Sequence, residues 1–211
     1  MDKTMSPSSF NPMTSGQMTK FYELLVAALR KSGLPSEPTQ NVLESQGGVL
    51  ADECVASLRK RVEAVSNMIV RHVKVNRTRE PQAVLGATGR KQYTDSVVVK
   101  NMPRDGREED DVFFFEPRKS AYDRHGNISD ENLAEEYDFV GLKPDPYAQA
   151  QVNIDDPSFA DECPNGTHWK DADGKWNFAA FSRWDGVGRG VLVSRIGGVW
   201  LDYWRFAGVR K

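Results

Sequence analysis

Apolar residues at helical spacing dominate the first third of the chain. One stripe recurs every three or four positions and predicts an amphipathic helix: Phe21, Leu24, Leu25, Ala28 and Leu29. Gly33 and Pro35 predict its end. A short helix around Val42 is expected to stop at Gly47-Gly48, and a longer one follows from Leu50. The pattern predicts a helical module over residues 18–67, preceded by a disordered tail over residues 1–17, which lack periodicity.

The middle of the chain mixes short strand and helix patterns. Residues 71–79 are basic, with Val73 and Val75 alternating, which fits either a contact for an acidic or phosphate-bearing partner or a solvated edge strand. Residues 112–115 are apolar and predict a buried strand. Ser129 is a good N-cap for a helix whose inner face carries Leu133 and Tyr137. We therefore expect a second domain over residues 70–211 and an α+β fold.

The last fifty residues have the alternation of a β-structure. Residues 164–166 and 171–174 are turn signals, and residues 176–184 read as an aromatic-rich strand. In the next strand Val191 and Val193 alternate with smaller residues, so its two faces differ. Residues 206–211 predict a last strand.

Charge and composition exclude several classes of protein. A net charge of -2 and a pI near 6.0 do not suit a globally basic nucleic-acid binder, so we expect no nucleic-acid partner. No apolar run is long enough to span a membrane, and no signal region is visible, which predicts a cytoplasmic protein without a membrane partner. Cys54 and Cys163 could pair, but two thiols are expected.

No residue pattern indicates catalysis, a metal or a cofactor. The three histidines, His72, His125 and His168, lack metal-ligand spacing, and His168 is expected to be a structural, hydrogen-bonded residue. Asp171-Ala172-Asp173-Gly174 resembles the start of a calcium loop, but without the distal glutamate it predicts a hairpin turn. We therefore expect a protein without enzymatic activity.

The C-terminal segment has an unusual residue composition. Between Lys175 and Lys211 there is no Lys, Glu, Gln or Met, although surface segments usually carry Lys and Glu. Trp, Tyr, Arg, Ser, Gly and Asp are present instead, and these are typical of adaptable binding surfaces. A buried β-core is the alternative, but it would not need four interleaved arginines: Arg183, Arg189, Arg195 and Arg205.

The same segment has a regular arrangement of fixed and variable-type positions. It reads Ala179-Ala180-Phe181-Ser182-Arg183-Trp184, then Arg189-x-Val191-x-Val193-x-Arg195, then Trp200-x-Asp202-x-Trp204-x-Phe206-Ala207-Gly208-Val209-Arg210-Lys211. This ending resembles the variable region of target proteins of diversity-generating retroelements. In that family, adenine-specific mutagenesis of a template changes codons of the AAC type. Those codons cannot become Lys, Glu, Gln, Met or Trp.

The resemblance implies a function and a set of contact residues. It implies a bacterial or phage protein with a C-type-lectin-like domain that binds an unknown protein ligand, with a homo-oligomer possible. The implied variable positions are Ser182, Asp185, Gly190, Leu192, Ser194, Ile196, Gly197, Gly198, Val199, Leu201, Tyr203 and Arg205. The alternatives are a fixed interaction module without diversification and an enzyme of a related lectin-like fold. The sequence does not show the paired catalytic cysteines that the enzyme alternative would require.

Strand alternation gives the expected orientation of these positions. Gly190, Leu192 and Ser194 should face outwards while Val191 and Val193 anchor the core. In residues 200–206, the tryptophan side should be buried and Leu201, Tyr203 and Arg205 should face out. Asp202 would then be an inward carboxylate, paired with Arg183 or Arg195.

Overall fold

A computed structural model describes residues 13–63, 68–184, 186, 188–195 and 200–211. The chain divides into two compact units, Met1–Val65 and Ser66–Lys211. The first is helical, and the second combines helices with a mixed sheet, so the predicted α+β class is confirmed. Over these residues, every helix is too short or too polar to cross a membrane.

The first unit contains helices α1, Ser15–Ser32, and α2, Ser36–Glu63. Thr14 caps α1 through a reciprocal pair of hydrogen bonds with Gln17, which satisfies two amide groups at the helix start. Gly33 ends the helix in the left-handed conformation, as predicted. The helix begins inside the segment that was expected to be a tail, because this capping box lies upstream of the apolar stripe.

The predicted break at Gly47-Gly48 is wrong, since α2 runs through both glycines. Each glycine lowers the stability of a helix by only about 1 kcal/mol relative to alanine. The helical turns on both sides of the two glycines can compensate for this loss. Among the described side chains of residues 13–63, none is buried. These two helices therefore carry apolar stripes that their own unit does not cover.

The second unit alternates short helices and strands. Its strands are β1 Met68–Lys74, β2 Lys91–Thr94, β3 Glu109–Phe115, β4 Asn127–Ile128, β5 Leu142–Pro144, β6 Asn165–Lys170, β7 Trp176–Trp184, β8 Gly188–Ser194, β9 Trp200–Leu201 and β10 Arg205–Arg210. Its α-helices are α3 Pro81–Ala87, α4 Ser96–Lys100, α5 Asp130–Val140, α6 Pro146–Asp155 and α7 Phe159–Glu162. The strands predicted at residues 112–115, 176–184 and 189–195 and the helix capped by Ser129 are confirmed.

One large mixed sheet organises the unit. Its strand order is β1-β3-β10-β6-β7-β8-β2, with β5 also paired to β10, while β4 and β9 form a separate pair. Most pairings are antiparallel, but β10 runs parallel to β6, and β2 runs parallel to β8. The C-terminal strand β10 is therefore central and cannot be removed without dividing the sheet.

The main hydrophobic core lies on one face of this sheet. Phe114, Phe181, Val191 and Val193 point into it, and α6 contributes Tyr147 from the other side. All five side chains are essentially inaccessible to solvent. The burial of these residues fixes which face of β7 and β8 is directed inwards.

Residues 164–166 and the basic segment 71–79 take different structures in the second unit. Residues 164–166 are not a turn, since Asn165 begins β6 and its buried amide bonds Gln149 and Asn153 of α6. These tertiary hydrogen bonds replace those that a turn would supply. Residues 71–74 of the basic segment belong to the edge strand β1, one of the two alternatives, whereas residues 75–79 follow the strand.

His168 is a structural residue, as predicted. Its ring is buried between Tyr137 and Trp176, at centroid distances of 5.3 Å and 4.4 Å. Its Nδ1 lies 3.0 Å from a carboxylate oxygen of Asp130. Burial lowers the pKa of His168 below its ordinary 6.5, and the bond to Asp130 opposes this effect only in part.

This lowered pKa predicts a specific acid sensitivity. The unfolded chain binds the proton first as the pH falls, so the His168 contribution to stability is complete above about pH 6.5 and is lost below it. His168→Gln should therefore lose less stability between pH 7.5 and 5.5 than the parent, in roughly the range in which a histidine titrates. Urea unfolding followed by tryptophan fluorescence measures this.

The comparison is best made in a His72→Gln background. His72 is exposed, and hydrogen bonds to Asp111 and Glu109 raise its pKa, so it contributes the opposite pH dependence. If the free energy of unfolding depends equally on pH with and without His168→Gln, then His168 takes up its proton in the folded state as readily as in the unfolded state.

Candidate ligand-binding surface

The second face of the sheet carries the positions implied as variable in β8. Leu192 lies beside Ala180 of β7 and beside Tyr93 of β2. Leu192 and Ser194 are half-buried, whereas Val191 and Val193 are fully buried in the core on the opposite face. The predicted division of β8 into an anchoring face and an outer face is confirmed for these four residues.

Gly190 and Ser182 are not accessible in the way the alternation suggested. Both are buried, and they pair directly across β7 and β8. A Cβ atom placed on Gly190 would lie 1.8 Å from the ring of Trp184. Gly190 does lie on the outer face, but the indole of Trp184 covers it, so the expectation of an open position there is wrong.

The β9–β10 connection presents two exposed side chains. Leu201 is 39% exposed and Tyr203 is 57% exposed, while Trp200 and Trp204 are 3% and 9% exposed. Trp200 lies over Gly166 of β6, where a Cβ atom would be only 2.6 Å from its ring. The predicted orientation of the tryptophans is confirmed, and it depends on the absence of a side chain at Gly166.

The prediction for Asp202 is wrong. Residues 202 and 203 form a turn, so the strand alternation does not continue and Asp202 is exposed. Arg195 instead pairs with Asp171, at 3.3 Å. Arg205 is half-buried and pairs with Glu116 at 2.6 Å, so part of its guanidinium is already bound within the unit.

Asp202 borders a polar cleft of about 370 Å³. The other lining residues are Glu116, Pro117, Lys119, Tyr122 and Gly126. The hydroxyl of Tyr122 is buried without a hydrogen-bond partner, and burial raises the pKa of this phenol. The turn that exposes Tyr203 thus also borders a concave polar site.

A chain of aromatic contacts connects the β8 positions to this turn. Trp200 contacts Phe178, the neighbour of Ser194, at 5.3 Å between ring centroids. Trp200 also contacts Trp204 at 5.4 Å, and Trp204 stacks with Tyr203 at 5.8 Å. We call the accessible residues along this path the display surface: Tyr93, Trp184, Leu192, Ser194, Leu201 and Tyr203.

Tyr93 is the member of this surface that the sequence did not indicate. It lies in β2, which pairs in parallel with β8, and its ring meets Trp184 edge-on at 5.8 Å. A four-residue strand offers little periodicity, and its pairing with a strand about one hundred residues away is invisible in the sequence. Of the other implied variable positions, Asp185, Ile196, Gly197, Gly198 and Val199 lie outside the described residues.

The described residues contain no cluster of three or more His, Cys, Asp or Glu side chains that could hold a metal ion. Cys54 and Cys163 are thiols and do not form a disulfide. Comparison of the chain with models of protein families, with curated proteins and with solved structures gives no match.

Substitution of the display surface should leave the fold intact. Changing Leu192, Ser194, Leu201 and Tyr203 to other small or polar residues is expected to shift the free energy of unfolding by no more than about 0.5 kcal/mol each, because accessible side chains lose few contacts. Urea unfolding of the combined variant measures this. A cooperative loss of the native near-UV circular dichroism would identify these residues as core.

Gly190 should respond differently from its neighbours. Gly190→Leu is expected to displace the Trp184 ring into solvent and to cost about 1–3 kcal/mol, as overpacking usually does. A red shift of tryptophan emission reports the displacement. Ser194→Leu, on the same face of the same strand, is the matched control and should leave the emission unchanged.

Proposed function

We propose that this chain is a non-catalytic protein that binds a protein ligand through the display surface. We propose further that retroelement-directed adenine mutagenesis diversifies this surface and that the second unit is C-type-lectin-like. The cytoplasmic location and the absence of a nucleic-acid partner stay predictions.

One observation carries the proposal. At four implied variable positions, Leu192, Ser194, Leu201 and Tyr203, the side chains are exposed or half-buried and of types that adenine mutagenesis could produce. Trp200 and Trp204, whose codons lie beyond its reach, are buried beside them. A diversified binder needs this separation, since contact residues must change without unfolding their support.

The chemistry of the surface favours a protein as the ligand. Tyr203 and Trp184 offer large amphipathic rings with few rotatable bonds, which is the typical composition of binding hot spots. The adjacent cleft adds Asp202, Glu116 and Lys119, which can select polar groups at the edge of an apolar contact. Tyr203, next to Asp202 at the edge of this cleft, resembles the aromatic centre and polar margin of a protein interface.

The burial of Ser182 and Gly190 favours a second candidate function, a fixed interaction module. Both positions belong to the implied variable set, but larger residues there would meet Trp184 or the packed sheet. If these codons do not vary, the surface recognises one partner rather than many. The two functions use the same surface and differ in the genetic mechanism.

The genetic neighbourhood separates the two candidates. Diversification requires a near-copy of the 3′ end of the gene, with adenines at the codons of the accessible positions, beside a reverse-transcriptase gene. Finding this repeat supports the proposal. Finding an unrelated neighbourhood, with the same residues at these codons in sibling isolates, contradicts diversification and leaves the fixed module.

Binding itself can be tested with two libraries. Randomising Leu192, Ser194, Leu201 and Tyr203 should yield folded variants, some of which bind unrelated proteins. Randomising the matched core set Val191, Val193, Trp200 and Trp204 should yield mostly unfolded chains, because these side chains are buried. A first library that folds but never binds a protein would contradict the proposed ligand class.

A further inference from the structure

Three arginines form a row at one end of the large sheet, on the side of its hydrophobic core. Arg183 of β7 lies directly opposite Arg189 of β8. Each is two residues from a core side chain of its own strand, Phe181 or Val191, so strand alternation directs both arginines to the core side. Arg90 precedes β2, which pairs with the other edge of β8. We call these three side chains the arginine row.

Arg90 is the buried member of this row. Its side chain is 1% exposed, and its Nη1 and Nη2 atoms donate to two backbone carbonyls, at 3.1 Å and 2.9 Å. Its Nε is buried without a hydrogen-bond partner, and its ion pair with Asp161 is long, at 3.9 Å. Burial lowers the pKa of Arg90. Asp161 and the more weakly acting Asp156 oppose this effect, whereas the positive charge of Arg189 adds to it.

The other two arginines have one carboxylate between them among the described residues. Nε and Nη2 of Arg189 engage Asp161, at 2.8 Å and 2.7 Å, which leaves Nη1 over. Arg183 is exposed, and its guanidinium has no hydrogen bond or ion pair with any residue that the structure describes. Like charges directly opposite each other on antiparallel strands repel. The arginine row therefore carries positive charge that the carboxylates around it do not balance.

We propose that Arg183 and Arg189 bind the phosphate group of a ligand. Arg183 supplies its whole guanidinium fork, and Arg189 supplies Nη1, while Asp161 holds the Arg189 guanidinium in place. A phosphate between the two arginines replaces the repulsion of like charges by two charge-assisted contacts. Arg90 weakens the repulsion between Asp161 and the ligand, because its own charge acts on the same carboxylate.

The number of ligand oxygens favours phosphate over carboxylate. One guanidinium fork satisfies both oxygens of a carboxylate, as Arg189 does for Asp161. A phosphate group has three free oxygens and nearly a double negative charge, so it can bind the fork of one arginine and Nη1 of the next. The site lies on the opposite side of the sheet from Trp184 and Leu192, so it is separate from the display surface.

Titration of the isotope-labelled full chain with sodium phosphate, followed by NMR at constant ionic strength, tests this site. We expect saturable shifts of the Nε–Hε resonances of Arg183 and Arg189, because the contacts are to their guanidinium groups. Arg183→Gln should weaken phosphate binding at least about tenfold, as the loss of charged hydrogen bonds usually does. Arg183→Lys keeps the charge without the fork and should recover only part of the affinity. Arg107→Gln removes another exposed arginine and should leave binding unchanged.

A second ligand distinguishes two sources of the phosphate group. A short phosphoserine peptide is titrated beside inorganic phosphate, with the unphosphorylated peptide as its control. If the phosphopeptide binds about tenfold more tightly than inorganic phosphate, the site serves a phosphorylated side chain. If the two bind equally, the site serves a free phosphate ion.

The results that would overturn the proposal are equally specific. They are the absence of saturable shifts with both phosphate ligands, equal shifts with sodium acetate, and unchanged affinity in Arg183→Gln. Since Arg183 has no partner among the described residues, its replacement should leave the tryptophan emission unchanged, which separates lost binding from lost folding. The outcome does not depend on whether the display surface binds a protein, since the two sites use different side chains.

Discussion

Replacing Phe206 by alanine is expected to lower the free energy of unfolding by about 3–5 kcal/mol. Phe206 is fully buried in the central strand β10, where it contacts Trp200 at 5.2 Å and Phe115 at 6.1 Å between ring centroids. Its loss would leave a cavity beside these two rings, which β9 and β3 carry. Urea unfolding followed by tryptophan fluorescence measures the change.

Phe139→Ala is the matched control for this truncation. Phe139 lies on α5 and is 36% exposed, with the guanidinium of Arg118 over its ring at 3.7 Å. Its removal should cost a small fraction of the Phe206 effect, because water already reaches the ring. Equal losses in the two variants would show that the aromatic layer under the display surface is loosely packed.

The sequence predicts the burial of alternate residues where a strand is regular. Val191 and Val193 repeat every second position, and Trp200 and Trp204 are too large and apolar to remain in solvent beside smaller neighbours. The orientation of Leu192 and Tyr203 follows from these anchors. This part of the display surface could be derived without knowing which strands are neighbours.

The sequence fails where the answer depends on long-range pairing. Gly190 is covered because β7 returns alongside β8 in a register that places Trp184 over it. Tyr93 joins the surface because β2 pairs with β8 from a distant part of the chain. Hydrophobic periodicity and secondary-structure propensity describe one segment of the chain at a time. They therefore contain no information on which strands become neighbours.

Local turns limit the prediction in a different way. Extending the alternation through residues 200–206 assumed one continuous strand, but the chain turns at residues 202 and 203. Asp202 therefore points to the polar cleft rather than to an arginine in the core. The Asp-Tyr pair is a weak turn signal compared with glycine or proline, so local residue preferences did not indicate a turn there.

The basic segment after β1 contains a second residue whose removal should have a large effect. Arg77 forms two hydrogen bonds with the carboxylate of Asp145, at 2.9 Å and 2.7 Å, and the two side chains are only 10% and 4% exposed. Arg77 also donates to the carbonyls of Arg107 and Asp105, and Asp145 caps α6 through the amide of Ala148. The pair thus joins three segments of the second unit.

Arg77→Met should destabilise the second unit by about 3–5 kcal/mol, because it leaves Asp145 as a buried charge without its cation. Asp145→Asn should cost a similar amount, and the double variant should cost less than the sum of the two, since neither charge is then left alone. Arg104→Met breaks the more exposed pair with Glu80 and is the matched control, expected to have a much smaller effect. If Arg77→Met and Arg104→Met are equally mild in urea unfolding, water reaches the Arg77 pair, and this ion pair does not hold the start of α6 to the segment after β1.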